Sequence, residues 1–201
     1  MDRMWASGAY DAGSIPAGCT ILYEKRLIHH HTTSEIVDVV DERCHVLYST
    51  SKKEAHEKGL LHKTVIGGVV DSKGNITLVK QSLQKQDVGQ FVSPVGGHVG
   101  AGESDNDAIR RKAFEEIGLS GIKFKLVGKK IFNRKVLGRQ ENHYFIAYDI
   151  LTDKPLNLND EAVEYKKFTP SEIKRNYKES PHIFGDAYIF VLKSFYPKLI
   201  K

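Results

Sequence analysis

Two adjacent carboxylates, Glu115 and Glu116, follow a glycine-rich run, Gly97-His98-Val99-Gly100-Ala101-Gly102-Glu103. Carboxylates placed side by side repel each other unless a hard cation sits between them. Oxygen ligands of this kind, facing a phosphate-bearing substrate, point to Mg²⁺ or Mn²⁺. The glycines let backbone approach such a ligand closely. The run feeds a helix beginning at Ser104, and the first N–H groups of a helix favour anions. On that helix Ile109, Ala113 and Ile117 recur every four residues and form an apolar stripe for a sheet. Lys112, Glu115 and Glu116 share an adjacent face, because positions three and four apart are neighbours.

This spacing resembles the Nudix signature. Gly97, Glu103, Arg111, Ala113, Glu115, Glu116, Gly118 and Leu119 all fall in its register, across two long gaps of fixed length. The resemblance implies an α/β fold, the Nudix α/β/α sandwich with a mixed central sheet. It implies Mg²⁺-dependent hydrolysis of a nucleoside diphosphate derivative or a similar small organic diphosphate. By the same resemblance Glu115 and Glu116 hold metal with the Gly97 carbonyl nearby, and Gly96, Gly97 and His98 border the substrate. Arg111 pairs with a carboxylate, for which Glu103 is placed, and fixes the loop. Lys112 departs from the pattern, standing where the family carries a glutamate that typically binds metal and in some members acts as the base. Exchanging Glu for Lys adds two positive charges, those of one Mg²⁺, and the ammonium can pair with Glu115 and Glu116. The base then falls to Glu116, Glu161 or Glu164. The alternative is a module that binds a diphosphate without turning it over.

Further segments resemble the Nudix subgroup related to type I isopentenyl-diphosphate isomerase. They are Glu35-Ile-Val-Asp-Val-Val-Asp41, Lys53-Glu-Ala-His56, Gly59-Leu-Leu-His62, Gly97-His98, Gly102-Glu-Ser104 and Asn159-Asp-Glu-Ala-Val-Glu-Tyr165. In the isomerases a cysteine before the Gly-His pair moves a proton, whereas this chain has Gly96, which has none to give. The isomerases also hold one metal on a histidine set, which His56, His62 and His98 can supply. The two early histidines sit one residue closer together than in the isomerases. The plainer expectation is that they cap and pack the first helix and strand. Gln81-Ser82 replaces an arginine pair of the isomerases and weakens that phosphate clamp.

The surrounding elements must position these groups. Glu35–Asp41 and His45–Tyr48 read as a hairpin. Ser51-Lys-Lys-Glu54 has the spacing of a capping box, and Gly59 ends the helix it starts. Thr64–Val70 and Ile76–Val79 read as strands across a turn, Asp71-Ser-Lys-Gly-Asn75. The helix from Ser104 stops at Gly118. Ile122–Phe132, Tyr144–Leu151 and Val163–Phe168 read as strands, Thr169-Pro-Ser-Glu172 caps a helix, and Phe184–Phe195 reads as the last one. Irregular alternation of strands and helices predicts a mixed sheet flanked by helices.

Residues 1–31 show no periodic apolar face and read as an N-terminal extension, leaving 32–201 for the main domain. Adjacent His29, His30 and His31 do not converge on one ion without a special backbone and read as surface residues. Two cysteines, Cys19 and Cys44, make no disulfide framework and have no zinc-like spacing. No apolar run approaches the ~20 residues of a membrane helix, and the first ten residues lack a signal peptide's apolar stretch, so a cytoplasmic location is expected. The net charge of +5 is spread over scattered lysines, which favours a small phosphate-bearing partner over nucleic acid. A homo-oligomer is compatible with the sequence.

Overall fold

The computed structural model describes residues 35–136 and 138–201. The expected extension, the His29–His31 run and Cys19 lie outside them. Cys44 is a free thiol. No helix among the described residues is long and apolar enough to cross a membrane.

The described strands are β1 (Ile36–Val40), β2 (Val46–Ser51), β3 (His62–Val70), β4 (Ile76–Gln81), β5 (Phe91–Val92), β6 (Val95–His98), β7 (Lys123–Val136), β8 (Arg139–Leu151) and β9 (Ala162–Phe168). The helices are α1 (Lys52–Glu57), α2 (Asp105–Ile117), α3 (Pro170–Glu179), α4 (Asp186–Phe195) and α5 (Pro197–Ile200). Among the described residues the strands form one mixed sheet centred on β3. β3 runs parallel to β8, from His62 opposite His143 to Val70 opposite Leu151, and antiparallel to β6. β7 and β8 form a long hairpin, and β9 lies along β4.

Side chains alternate across a strand, so β3 serves two layers. Val65 and Val69, with Ile146 and Ile150 of β8, pack against Ala108, Ile109, Ala113 and Ile117 of α2. Ile66, with Phe145 and Ala147, packs on the other face with Val191 of α4, while Leu78 and Phe168 pack with Ile173 of α3 and Leu192 of α4. The result is the α/β/α sandwich. Both isoleucines of the α2 stripe are fully buried, each stabilising by roughly 1.5–3 kcal/mol relative to exposure. Ser104 caps α2 by accepting the Asp107 N–H, and Gly118 ends it in the left-handed region at φ 68°. A Cβ at Gly118 would stand 2.8 Å from that of Asn157, so both backbone angle and space require glycine.

Several boundaries differ from the sequence reading. At Ser51 only half of the capping box forms: its side chain accepts the Glu54 N–H, but the Glu54 carboxylate turns to Thr50 and Lys58. Thr169 and Glu172 form the full reciprocal box. β3 starts at His62 rather than Thr64, and β8 at Arg139 rather than Tyr144. Gly97 and His98, read from the sequence as the start of the glycine-rich run, lie with Gly96 in strand β6. The last helix starts at Asp186 and gives way at Pro197 to the short α5.

Candidate functional site

Two groups of polar side chains meet at β6. Val95 and Gly97 face α2, while His98 faces the opposite side. Lys112 extends from α2 directly across Gly97, and a Cβ there would come 2.3 Å from the lysine Cε. Glycine at this position is what lets the lysine lie flat on the strand. Lys112 Nζ ends 2.9 Å from Glu115 Oε2.

Arg111 binds four ways. Its Nε and Nη2 donate to the two oxygens of Glu103 at 2.8 and 2.7 Å, a bidentate pair. Nη2 also donates to the His98 carbonyl at 3.1 Å, and Nη1 to Glu115 at 3.3 Å. Glu103 further accepts the Gly100 N–H at 2.8 Å. The loop from His98 to Glu103 is thereby tied to α2. The Arg111 guanidinium holds the Glu103 carboxyl below the usual range, and Glu103 raises the arginine in return.

The adjacent carboxylates are partnered differently. Burial pushes Glu115 up, but Lys112 and Arg111 outweigh it and the carboxyl stays below its usual range. Glu116 turns inward, where its Oε2 accepts the Gly96 N–H at 2.9 Å. Burial pushes Glu116 up to about 8; Gly96 and Lys112 oppose the shift, and the charges of Glu161 and Glu115 add to it. A half-buried carboxylate with a second carboxylate beside it suits a divalent cation, which takes the place of the proton. The donor set of Glu116, Glu115 and the Gly97 backbone therefore fits Mg²⁺.

The later segment closes over the end of α2. Asn159 donates from its backbone to the Glu116 carbonyl and from its side chain to the Glu115 carbonyl. Glu161 pairs with Lys85 at 2.6 Å, and Glu164 with Lys80 at 3.3 Å. Ser82, in the position of the isomerases' arginine pair, is half-buried with its hydroxyl covered, and donates its N–H to the Glu161 carbonyl.

On the other face, His56, His62, His98 and His143 converge. One ring nitrogen from each lies within 4.8 Å of the others. His56 and His62 do pack, but against other histidines, at a ring separation of 4.9 Å. Sequence reasoning missed His143. The signal was the parallel register of β3 and β8, which sets His143 beside His62, and that register is legible only if β8 starts before Tyr144. Burial pushes His62 down and His98 well down, which keeps their imidazoles neutral.

The family model described as NUDIX domain matches residues 60–187. A Nudix hydrolase of Streptomyces coelicolor is 37% identical over 95 residues, 45% of this chain and 51% of the relative, so the chain spans about half of that relative's length. Isopentenyl-diphosphate Delta-isomerase 2 of Photorhabdus laumondii is 26% identical over 155 residues, 75% of this chain and 86% of the enzyme. A crystal structure from Deinococcus radiodurans superposes with a TM-score of 0.65 at 18% identity, over 81% of this chain and 99% of that one, a likeness of fold.

Proposed function

Because this chain belongs to the Nudix family, we propose that it hydrolyses a nucleoside diphosphate derivative or a similar small organic diphosphate with Mg²⁺ or Mn²⁺. The observation that carries this reading is Glu116, half-buried against β6 and accepting the N–H of Gly96, just before the glycine run. In this reading Glu116 is the principal metal ligand, with Glu115 and the Gly97 carbonyl beside it. These residues would hold the ion, which when bound would supply Lewis-acid chemistry to the phosphoryl group and to a water. Lys112 holds a fixed positive charge across Gly97, beside the expected diphosphate position. Arg111 and Glu103 hold the loop against α2 and do not themselves react. The base falls to Glu116, Glu161 or Glu164, the last two of which are ion-paired with Lys85 and Lys80.

Gly96 speaks against isomerisation. It offers only its N–H, which Glu116 accepts, and carries no group that can protonate an isoprene. A panel of nucleoside and isoprenoid diphosphates, assayed with Mg²⁺ and Mn²⁺, tests the reading. The expected result is metal-dependent cleavage of a diphosphate linkage in at least one compound. Binding without cleavage across the panel would replace hydrolysis by a sensing role. Isoprenoid conversion without phosphate release would replace it by isomerisation.

A further inference from the structure

On the sheet face turned away from α2, a cavity of about 200 Å³ lies between the central strands and the C-terminal helices. Ile66 and Val70 of β3 and Ala147 of β8 line one side of it, and Val191 and Leu192 of α4 and Leu199 of α5 the other. It shares no lining residue with the carboxylate site or the histidine cluster. Protein interiors pack closely, and a void of this size costs stability unless something fills it. Two of its polar groups are open. Tyr188, on α4, is only 3% exposed, and its hydroxyl is buried with no hydrogen-bond partner. The Ser93 hydroxyl, between β5 and β6, also lines the cavity buried and without a partner. A buried hydroxyl left without a hydrogen bond costs the protein its desolvation. Asp149 of β8 accepts the Tyr196 O–H at 2.5 Å, and its carboxylate has lone pairs for a further donor.

We propose that this cavity is a second ligand site, which takes a small uncharged molecule with an apolar ring and one hydroxyl or N–H. Size sets the ring: a cavity of about 150 Å³ lined by apolar side chains takes benzene. The open hydroxyls of Tyr188 and Ser93 and the Asp149 carboxylate set the polar group, because all three can accept from a donor. Charge sets what is refused. Among the described residues that line the cavity none is cationic and one, Asp149, is anionic. A diphosphate or a carboxylate therefore finds no counter-charge, and a cation would lose its hydration against aliphatic walls. A ligand here fills the space between β3, β8 and α4, so it stabilises the packing of the C-terminal helices on the sheet. The site does not depend on the hydrolase reading, since it requires neither Glu116 nor a metal.

The test compares phenol with toluene, which has the same shape but no polar group, on the full chain carrying methyl labels on isoleucine, leucine and valine. Phenol should bind saturably and raise the melting temperature. It should shift the methyl signals of Ile66, Val191 and Leu192 and leave those of Ile109 and Ile117, on the α2 face, unmoved. It should bind about five-fold more tightly than toluene, the worth of one net hydrogen bond. Benzoate should not bind there. Tyr188→Phe combined with Ser93→Ala keeps the cavity open and should remove most of the preference for phenol, while Glu116→Gln should bind phenol as wild type does. Failure of phenol to move the Ile66, Val191 and Leu192 methyls would overturn the proposal and leave water as the occupant. Phenol binding no more tightly than toluene would also overturn it, since the space would then be a merely apolar void. Should the double variant not fold, the comparison of phenol with toluene on wild type decides alone.

Discussion

At the scale of single residues, Lys112 departs most from the Nudix pattern. Its ammonium lies 2.9 Å from Glu115, and its stem occupies the space over Gly97. We read it as a fixed cation in place of one metal ion. Lys112→Glu should then lower turnover at limiting Mg²⁺ and recover part of it at high Mg²⁺. If the lysine merely disabled an inherited site, the restored carboxylate would raise turnover at every Mg²⁺ concentration, by ~10²-fold or more. Rate against Mg²⁺ for both proteins separates the two. The sequence made the departure visible, because the gap lengths fix which position Lys112 occupies. Helical spacing also placed Glu115 beside Glu116. It did not show that their partners differ: Glu115 meets Arg111 and Lys112 on its own helix, whereas Glu116 meets Gly96, on β6. Only the fold brings β6 there.

At the scale of elements, strands with clear alternation were legible and those with polar ends were not. β1, β4 and β9 lie where their apolar runs predicted them. β8 begins five residues early because Arg139-Gln-Glu-Asn-His143 has no apolar residue to mark it as strand. It is held there by pairing with β7, and the Arg134–Glu141 ion pair at 2.6 Å braces that hairpin. His143 was overlooked for this reason. The turn between β3 and β4 was legible from Asp71, Gly74 and Asn75, and its chemistry gives a prediction. The Asp71 carboxylate accepts from the side chain and backbone of Asn75, the backbone of Lys73 and the side chain of Lys167. These partners, Asn75 first, pull its pKa down to about 2. The unfolded value is about 3.9, so the contribution is complete above it and is lost as pH falls through about 2. Melting temperatures from pH 5 to 2 should fall less steeply for Asp71→Asn than for wild type. Parallel curves would show that the turn contributes no such term.

At the scale of the whole molecule, β6 joins two kinds of chemistry through alternate residues: Gly97 lies beneath Lys112 of α2, and His98 enters the histidine cluster. The sandwich was legible because the Nudix spacing requires a strand, a glycine-rich loop and a helix in that order, and the apolar stripe of α2 requires a sheet. The convergence of the four histidines was not, since it depends on four segments meeting across the sheet. The central claim is that the carboxylate site binds Mg²⁺ through Glu116 and hydrolyses a diphosphate. Its most direct test is calorimetric titration of Mg²⁺ into wild type and Glu116→Gln, with and without a non-hydrolysable diphosphate, alongside turnover of the cleaved compound. Wild type should bind Mg²⁺ more tightly when the diphosphate is present, because the phosphates add oxygen ligands. Glu116→Gln should lose that enhancement and about 10²-fold or more of turnover while remaining folded. Equal Mg²⁺ affinity and equal turnover in a folded Glu116→Gln protein would contradict the account.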